Sequence, residues 1–281
     1  MITETHPTSS AEARPGTPPS EAGLSWQRRY ERDGYFIIRK LFDPDRLARW
    51  NRRFEDICTG KVPAAPGMLV MRDVEVAKGR VQPASPLHAI AKLQTIRADP
   101  VLDEYVTDPG LLDHVERITG PDIKSVHTML INKPPGVDGR HPLHQDLLYF
   151  RFRPADRIVG AWTAMETCNR ANGCLVALPG SHKRPLLRHS APDWDWLNHY
   201  YLGAEDVDPG DRVHLEMEAG DTIFFHPLLV HGSGRNRSDH FRRSISTHYA
   251  SAACTFIAGG REVAEKYPYQ LVRGRAFPDG I

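Results

Sequence analysis

The chain has 281 residues, of which 36 are lysine or arginine, 35 are aspartate or glutamate and 40% are hydrophobic. A formal net charge of +1 gives no overall attraction to nucleic acid or to an anionic membrane surface, so we expect neither as a partner. No apolar run approaches the ~20 residues of a membrane-spanning helix, and the average composition excludes a collagen-like or globally disordered chain.

Residues 1–23 consist mostly of Pro, Ser, Thr, Glu, Gly and Ala, with almost no large apolar side chain. Such a segment cannot bury enough surface to offset its ordering entropy, so we predict a disordered tail followed by a single domain over residues 24–281. We find no secretory signal pattern, no C-terminal targeting motif and no CxxC pair among the four cysteines. These features predict a cytoplasmic protein with reduced thiols.

The next part of the chain predicts several helices. Residues 24–32 are helix-like and are followed by a short strand over residues 35–39. Asp43 and Pro44 form a helix start, and the apolar residues after them have helical spacing. We expect further helices over residues 87–94 and 109–119. Pro- and Gly-rich connections occupy residues 60–67 and 79–86.

From residue 123 onward, short β-like runs alternate with clusters of turn residues. Several strands at this spacing predict a barrel or sandwich, so the expected architecture is mainly β with flanking helices and a helical N-terminal third. The predicted strands cover residues 123–132, 158–166, 173–178, 212–217, 222–226 and 241–251.

The segment His144-Gln-Asp146 is an HxD unit, a histidine and an aspartate two positions apart. We consider it as part of a strand. Residues i and i+2 of a strand share a face, so His144 and Asp146 can point at one atom. They would supply two ligands of the 2-His-1-carboxylate triad that binds non-haem Fe(II). The spacing alone is weak evidence, because the chain has 14 histidines and a surface His beside an Asp would look the same.

The third ligand is expected from a later strand, where His226 and His231 are both candidates. We favour His231 because a Gly-Ser-Gly turn follows it and small residues let backbone and ligand approach closely. His226 ends an apolar run and is interpreted as a half-buried structural residue.

The strand after His231 begins with two arginines. Alternation turns Arg242, Ser244 and Ser246 inward and leaves Arg243 to meet solvent or a loop. An inward guanidinium is costly unless a carboxylate pairs with it, and a dicarboxylate cosubstrate would supply that partner.

The HxD unit, a distal His and an Arg on the next strand together resemble an Fe(II)/2-oxoglutarate-dependent oxygenase on a double-stranded β-helix, the cupin-like jelly roll. Within that class the sequence resembles the phytanoyl-CoA dioxygenase family over most of its length. The segments that carry the resemblance are residues 127–135, 141–147, 161–166, 172–176, 178–182, 220–222 and 231–234.

The resemblance implies that iron is held by His144, Asp146 and His231, and that 2-oxoglutarate and O₂ are consumed, with ascorbate as a candidate reductant. It further implies that Arg242 binds the distal carboxylate of 2-oxoglutarate. Other residues implied to line the cosubstrate pocket are Lys92, Met129, Trp162 and Ser233. The remaining histidines of this region are interpreted as structural or as neighbours of the metal ligands, namely His127, His141, His182 and His248.

The implied reaction is hydroxylation of an unactivated C–H bond, with C2 of a fatty acyl-CoA such as phytanoyl-CoA as the preferred target. Asp146 favours hydroxylation, since Gly or Ala there would open a position for halide and indicate a halogenase. CoA needs cations at the pocket rim, and the candidates are Lys133, Arg140, Arg151, Arg153 and Arg157.

Three alternatives stay open at this point. The same chemistry could act on a small molecule or natural-product intermediate that is not carried on CoA. A non-catalytic cupin could keep the barrel without the metal, and a zinc hydrolase could use two His and one Asp. Neither of the last two explains Arg242. The sequence does not indicate an oligomeric state.

Overall fold

The structure is a computed structural model that describes residues 25–192, 194 and 201–281. The predicted disordered tail, residues 1–23, lies outside the described residues. The single domain predicted for residues 24–281 stays a prediction.

The described residues contain six α-helices. The helix predicted at Asp43 forms as expected, because the Asp43 carboxylate accepts the backbone N–H of Arg46 at 3.0 Å and Pro44 occupies the first turn. The helices are α1 (Trp26–Asp33), α2 (Pro44–Cys58), α3 (Val74–Ala77), α4 (Asp103–Val106), α5 (Pro109–Thr119) and α6 (Gly260–Lys266).

Sixteen strands are described, and the six β-runs predicted from the sequence are all among them. They are β1 (Tyr35–Ile38), β2 (Leu69–Arg72), β3 (Ile90–Gln94), β4 (Ile123–Lys133), β5 (His141–His144), β6 (Phe152–Arg153), β7 (Ile158–Ala164), β8 (Leu175–Ala177), β9 (His189–Ser190), β10 (Gly203–Ala204), β11 (Val213–Leu215), β12 (Thr222–Phe225), β13 (His231–Ser233), β14 (Arg242–Ser251), β15 (Thr255–Phe256) and β16 (Gln270–Arg273).

Two antiparallel sheets form the body of the molecule, which confirms the prediction of a mainly β fold. The large sheet has the order β1-β12-β7-β14-β4-β3-β2, with β16 also pairing with β4. The small sheet has the order β11-β8-β13-β5. Neighbours distant in sequence pair within each sheet, as in a jelly roll.

The N-terminal part is less helical than predicted. The helix expected over residues 87–94 is wrong: Leu87–Ala89 is a 3-10 turn and Ile90–Gln94 is strand β3. Pairing of β3 between β2 and β4 buries Ile90 and Leu93, and this tertiary gain overrides the local helix propensity. Strands β1, β2 and β3 all belong to the large sheet, so this region mixes helices with sheet.

Helices α2, α4 and α5 supply apolar side chains to a core on one face of the large sheet. Trp50 of α2 is fully buried there, with its ring centroid 5.1 Å from that of Phe42 and 5.5 Å from that of Tyr105. Ile245 and Tyr249 of β14 contribute to the same core from the sheet.

We expect Trp50→Ala to lower the free energy of unfolding by about 3–5 kcal/mol, the range for removing a large buried aromatic side chain. Guanidinium denaturation followed by circular dichroism would measure the change. Trp26→Ala is the matched control, because Trp26 is only partly buried against the same core. An equal loss in both variants would contradict the packing assigned to Trp50.

The other face of the large sheet turns towards the small sheet, and strand register fixes which residues it carries. In β14 and β4, Arg242 lies opposite Lys133, Ser246 opposite Met129, and His248 opposite His127. Directly opposed residues of an antiparallel pair point to the same side, so all six share this inner face.

None of the helices in the described ranges has the length and apolar character that a membrane span needs.

Candidate metal centre

Three potential metal ligands meet between β5 and β13. His231 of β13 lies opposite His144 of β5 in the sheet, and their ring centroids are 4.4 Å apart. Asp146 follows β5 after one extended residue, so its carboxylate returns to the same side. The distance from Asp146 Oδ1 to His144 Nε2 is 3.3 Å, and that from Asp146 Oδ2 to His231 Nε2 is 3.7 Å. One ligand atom from each residue lies within 4.8 Å of the others.

The backbone decides which imidazole nitrogens face the centre. His144 Nδ1 is 2.8 Å from the carbonyl oxygen of Pro142, and His231 Nδ1 is 3.0 Å from that of Leu229. A carbonyl only accepts, so Nδ1 carries the proton in both rings and the lone pair of each neutral ring is on Nε2. Hydrogen-bonded Nδ1 groups of this kind are typical of metal-binding histidines.

The charges at this centre fit a cation. Burial lowers the pKa of His231 to about 4, whereas neighbouring histidines hold the pKa of Asp146 well below its usual value although burial opposes this. Burial also acts to lower the pKa of His144, but the hydrogen bond to Asp146 raises it overall. Converging lone pairs repel one another unless a positive charge lies between them, and two His nitrogens with one carboxylate are a preferred Fe(II) donor set.

Gln145, between the two ligands in sequence, points away from them as the strand alternation predicts. It is fully buried, donates from Nε2 to the Leu228 carbonyl at 2.8 Å and accepts the Leu187 N–H at 2.8 Å. The bond to Leu228 ties the segment after β5 to the loop before β13, and therefore holds together the two segments that carry the candidate ligands. His226 is buried in a different environment, 3.1 Å from Asp156 Oδ1, and lies outside the candidate ligand group.

His248 contacts the carboxylate of Asp146 without belonging to the candidate ligand group itself. Its Nε2 is 2.8 Å from Asp146 Oδ2, and its ring stacks on that of His127 at 5.8 Å. His127 Nε2 is in turn 2.9 Å from Gln94 Nε2. The chain from Gln94 to Asp146 thus fixes the carboxylate from the inner face of the large sheet. Of the other two histidines, His141 packs on Tyr201 and His182 on His226.

We expect His248→Leu to weaken Fe(II) binding by about 10- to 100-fold, because outer hydrogen bonds that orient ligands contribute on this scale. Anaerobic equilibrium titration with Fe(II) measures the affinity independently of turnover. His248→Gln keeps an N–H donor and should retain most of it. Equal Fe(II) affinities in the Leu variant and the unmodified protein would contradict this role of His248.

Arg242 lies on the same inner face and has no acidic partner in the part of the chain that the structure describes. Its side chain is 1% exposed, its Nη1 donates to Ser244 Oγ at 3.1 Å, and its Nε is buried without a hydrogen-bond partner. Among the described residues, no carboxylate lies within ion-pair distance of it. The guanidinium carbon is 5.6 Å from the ring centroid of Trp162. A buried unpaired guanidinium of this kind fits an anionic ligand.

The prediction that Arg243 meets solvent or a loop is wrong. Arg243 is only 5% exposed, and its Nη1 lies 2.8 Å from Glu55 Oε1 and 3.3 Å from Asn51 Oδ1 on helix α2. The outer face of β14 is covered by that helix, so an arginine there is buried and paired. The two adjacent arginines therefore have different environments.

The structure also corrects the position of Lys133, which the sequence placed at the pocket rim. Lys133 is 1% exposed, and its Nζ donates to Ser233 Oγ at 2.7 Å and to the Gly234 carbonyl. Strand alternation from Met129 through Ile131 to Lys133 would have predicted this inward orientation.

A cleft is lined by residues of β2, β3 and β4 and by His141 and Pro142 of β5, the strand that ends at His144. Lys92, which lies on β3 and not on a helix, extends into it with Nζ 5.1 Å from the ring centroid of Tyr201. Arg140 lines the same cleft and pairs with Asp138 at 2.8 Å. Of the five predicted rim cations, only Arg140 and the buried Lys133 line this cleft; those that do not are Arg151, Arg153 and Arg157.

Two solved structures with similar folds were determined with 2-oxoglutarate, and one of them also contains iron. An epimerase from nogalamycin biosynthesis, solved with Fe³⁺ and α-ketoglutarate, matches at 20% identity and a TM-score of 0.66, covering 91% of this chain and 93% of that one. EvdO2 from Micromonospora carbonacea, solved with 2-oxoglutarate, matches at 20% identity and a TM-score of 0.61 over 86% of this chain and 94% of that one. These likenesses establish the fold.

A jelly roll with a largely buried His-Asp-His donor set and a buried arginine that has no acidic partner among the described residues defines the class of non-haem iron, 2-oxoglutarate-dependent dioxygenases. Within it, the family profile described as phytanoyl-CoA dioxygenase matches residues 30–244. The rat peroxisomal phytanoyl-CoA dioxygenase is 48% identical over 84% of this chain and 70% of its own. A probable phytanoyl-CoA dioxygenase of Caenorhabditis elegans is 50% identical over 80% of this chain and 74% of its own. The chain belongs to the phytanoyl-CoA dioxygenase family.

Proposed function

We propose that this enzyme hydroxylates C2 of a fatty acyl-CoA such as phytanoyl-CoA, with Fe(II), 2-oxoglutarate and O₂. The observation that carries the proposal is the largely buried group of His144, Asp146 and His231, together with the buried Arg242, which has no acidic partner among the described residues. The names of the rat and nematode relatives support the substrate class. When bound, the metal and cosubstrate would supply an oxidant: 2-oxoglutarate would be converted to succinate and CO₂, with one oxygen atom of O₂ entering succinate and the other entering the substrate.

Within this proposal, His144, Asp146 and His231 hold the iron, and Arg242 pairs with the distal carboxylate of the cosubstrate. Ser233 is a hydrogen-bond donor near that carboxylate, since its hydroxyl lies on the inner side of β13 close to Lys133. The pocket wall is completed by residues on the inner face of the large sheet, which are Lys92, Met129 and Trp162.

Apolar groups beside the centre would keep water away from the reaction. The Phe225 ring lies 4.8 Å from that of His231, and a Cβ on Gly160 would come within 2.5 Å of the Phe225 ring. Glycine at position 160 therefore allows Phe225 to cover the floor of the site. Exclusion of water prevents unproductive side reactions in the interval before the substrate reacts.

The cleft beside Lys92 is our proposed entrance for the acyl chain and its CoA group. Lys92 places positive charge there, which suits a CoA phosphate. Asp73, Glu75 and Asp138 line the same cleft, and Asp138 pairs with Arg140. Ile131 and Met71 provide apolar surface. We keep the cytoplasm as the proposed location, although the rat relative is named as peroxisomal. Imaging of the tagged chain in its own cells would test this location.

The test is incubation of the Fe(II)-loaded enzyme with phytanoyl-CoA, 2-oxoglutarate and O₂, followed by mass spectrometry. We expect a mass gain of one oxygen at C2 and one succinate per product. Free phytanic acid is the control and should give little product if CoA is required. Succinate formation with hydroxylation of free small molecules, but of no acyl-CoA, would establish the alternative substrate class. The absence of both succinate formation and bound Fe(II) would contradict the dioxygenase chemistry.

A further inference from the structure

The inner face of the large sheet carries a second buried cation next to Arg242. Lys133 of β4 lies directly opposite Arg242 in the strand register, so both side chains point into the same interior. Each is only 1% exposed. Two adjacent buried cations repel each other and have lost most of their hydration, which makes the pair costly unless an anion joins it.

The described part of the chain provides no acid that pairs with either group. Burial and the nearby Arg242 lower the pKa of Lys133 well below its usual value, and Asp138 opposes this electrostatically. Asp138 Oδ2 pairs with Arg140 at 2.8 Å and with Arg235 at 2.9 Å, and no ion pair joins Asp138 to Lys133 within the described residues. Glu166 acts on Arg242 only from beyond ion-pair distance, and its own ion pair is with Arg243 at 3.7 Å. The excess positive charge in this interior is therefore left for a bound anion.

The hydrogen bonds of Lys133 determine what Ser233 can offer to such an anion. Lys133 Nζ donates to Ser233 Oγ at 2.7 Å and to the Gly234 carbonyl. A hydroxyl has one proton, and because Oγ accepts from the ammonium group, the Ser233 O–H remains available for another acceptor.

We propose that Lys133 is a positioning residue of the cosubstrate pocket: it orients the Ser233 hydroxyl towards the distal carboxylate of 2-oxoglutarate and adds a second positive charge beside Arg242. This inference rests on the proposed function, because it assumes that the dicarboxylate binds in this interior. It assigns to Lys133 a role in cosubstrate affinity and none in holding the metal.

The test compares Lys133→Met with the unmodified enzyme, since methionine keeps the length of the side chain and removes its charge and donors. We expect the Kd of 2-oxoglutarate, measured by anaerobic calorimetry on the Fe(II)-loaded enzyme, to rise about tenfold or more. The Fe(II) affinity should stay within about twofold. Lys61→Met is the matched control, because Lys61 is a surface lysine far less buried than Lys133.

Thermal unfolding without cosubstrate separates positioning from a structural role. If Lys133 serves the ligand, Lys133→Met removes an uncompensated buried charge, and the Tm without 2-oxoglutarate should be unchanged or higher. The increase in Tm that 2-oxoglutarate gives should shrink. A lower Tm without cosubstrate, or loss of cooperative unfolding, would overturn the proposal in favour of a structural role.

A double-mutant cycle with Ser233→Ala tests whether Lys133 acts through Ser233. We expect Lys133→Met to weaken 2-oxoglutarate binding less in the Ser233→Ala background than in the unmodified chain. Wild-type affinity in Lys133→Met would contradict the inference while leaving the proposed function intact. If the unmodified enzyme itself fails to bind 2-oxoglutarate, the proposed function and this inference both fail.

Discussion

Asp146→Ala is expected to abolish iron binding and hydroxylation. The substitution removes the anionic member of the candidate ligand group and leaves His144 and His231 as a pair of neutral donors. It also removes the acceptor that His248 contacts at 2.8 Å. Because changes in the surroundings of a metal ligand already cost about 10- to 100-fold in affinity, we expect loss of the ligand itself to exceed that range.

Metal content after equilibrium dialysis against Fe(II) and the rate of succinate formation would measure both effects. Asp156→Ala is the matched control, because the Asp156 side chain is 90% exposed and pairs with His226 outside the metal centre. Near-normal Fe(II) binding in Asp146→Ala, together with coupled product formation, would refute the ligand assignment.

Arg242→Met is expected to raise the Kd of 2-oxoglutarate by about 30-fold or more. Removal of one member of a buried, hydrogen-bonded charge pair typically costs about 2–5 kcal/mol or more of binding free energy. A 30-fold rise in Kd corresponds to about 2 kcal/mol, the lower end of that range. The cost arises because the distal carboxylate would remain buried without its main cationic partner. The Fe(II) affinity should be unchanged, since Arg242 is not in the candidate ligand group.

Calorimetric titration of the anaerobic Fe(II)-loaded variants gives the Kd directly. The neighbouring Arg243→Met provides an informative control, because Arg243 points to the other face of β14 and pairs with Glu55. That variant should lose stability towards denaturant and keep its affinity for 2-oxoglutarate. If the two variants weaken 2-oxoglutarate binding equally, the proposed division between the faces of β14 is incorrect.

The local sequence pattern was sufficient to predict those features that depend on a single strand or helix. The helical spacing of Leu47, Trp50, Phe54 and Ile57 predicted the buried face of α2, because those positions recur on one side of a helix. The six β-runs were predicted for the same reason, since alternation and turn residues are local signals. The inward orientation of Arg242 also follows from alternation alone.

The features that the local pattern did not predict depend on contacts between segments that are distant in sequence. Residues 90–94 became a strand because β2 and β4 lie on either side of them, a contact that no local pattern contains. The burial of Lys133 depends on β4 lying beside β14, and that of Arg243 depends on helix α2 covering the sheet. The contact of His248 with Asp146 joins β14 to the segment after β5, which is far from it in sequence.

By itself, therefore, the sequence determined which side chains could share a strand face and which chemistry they could perform, because both depend on residue type and local spacing. Only the tertiary structure decided which cations are buried without an acid and which are paired. That difference depends on what covers each face of the sheet, and burial turns an unpaired charge from an ordinary surface feature into a site that requires an anion.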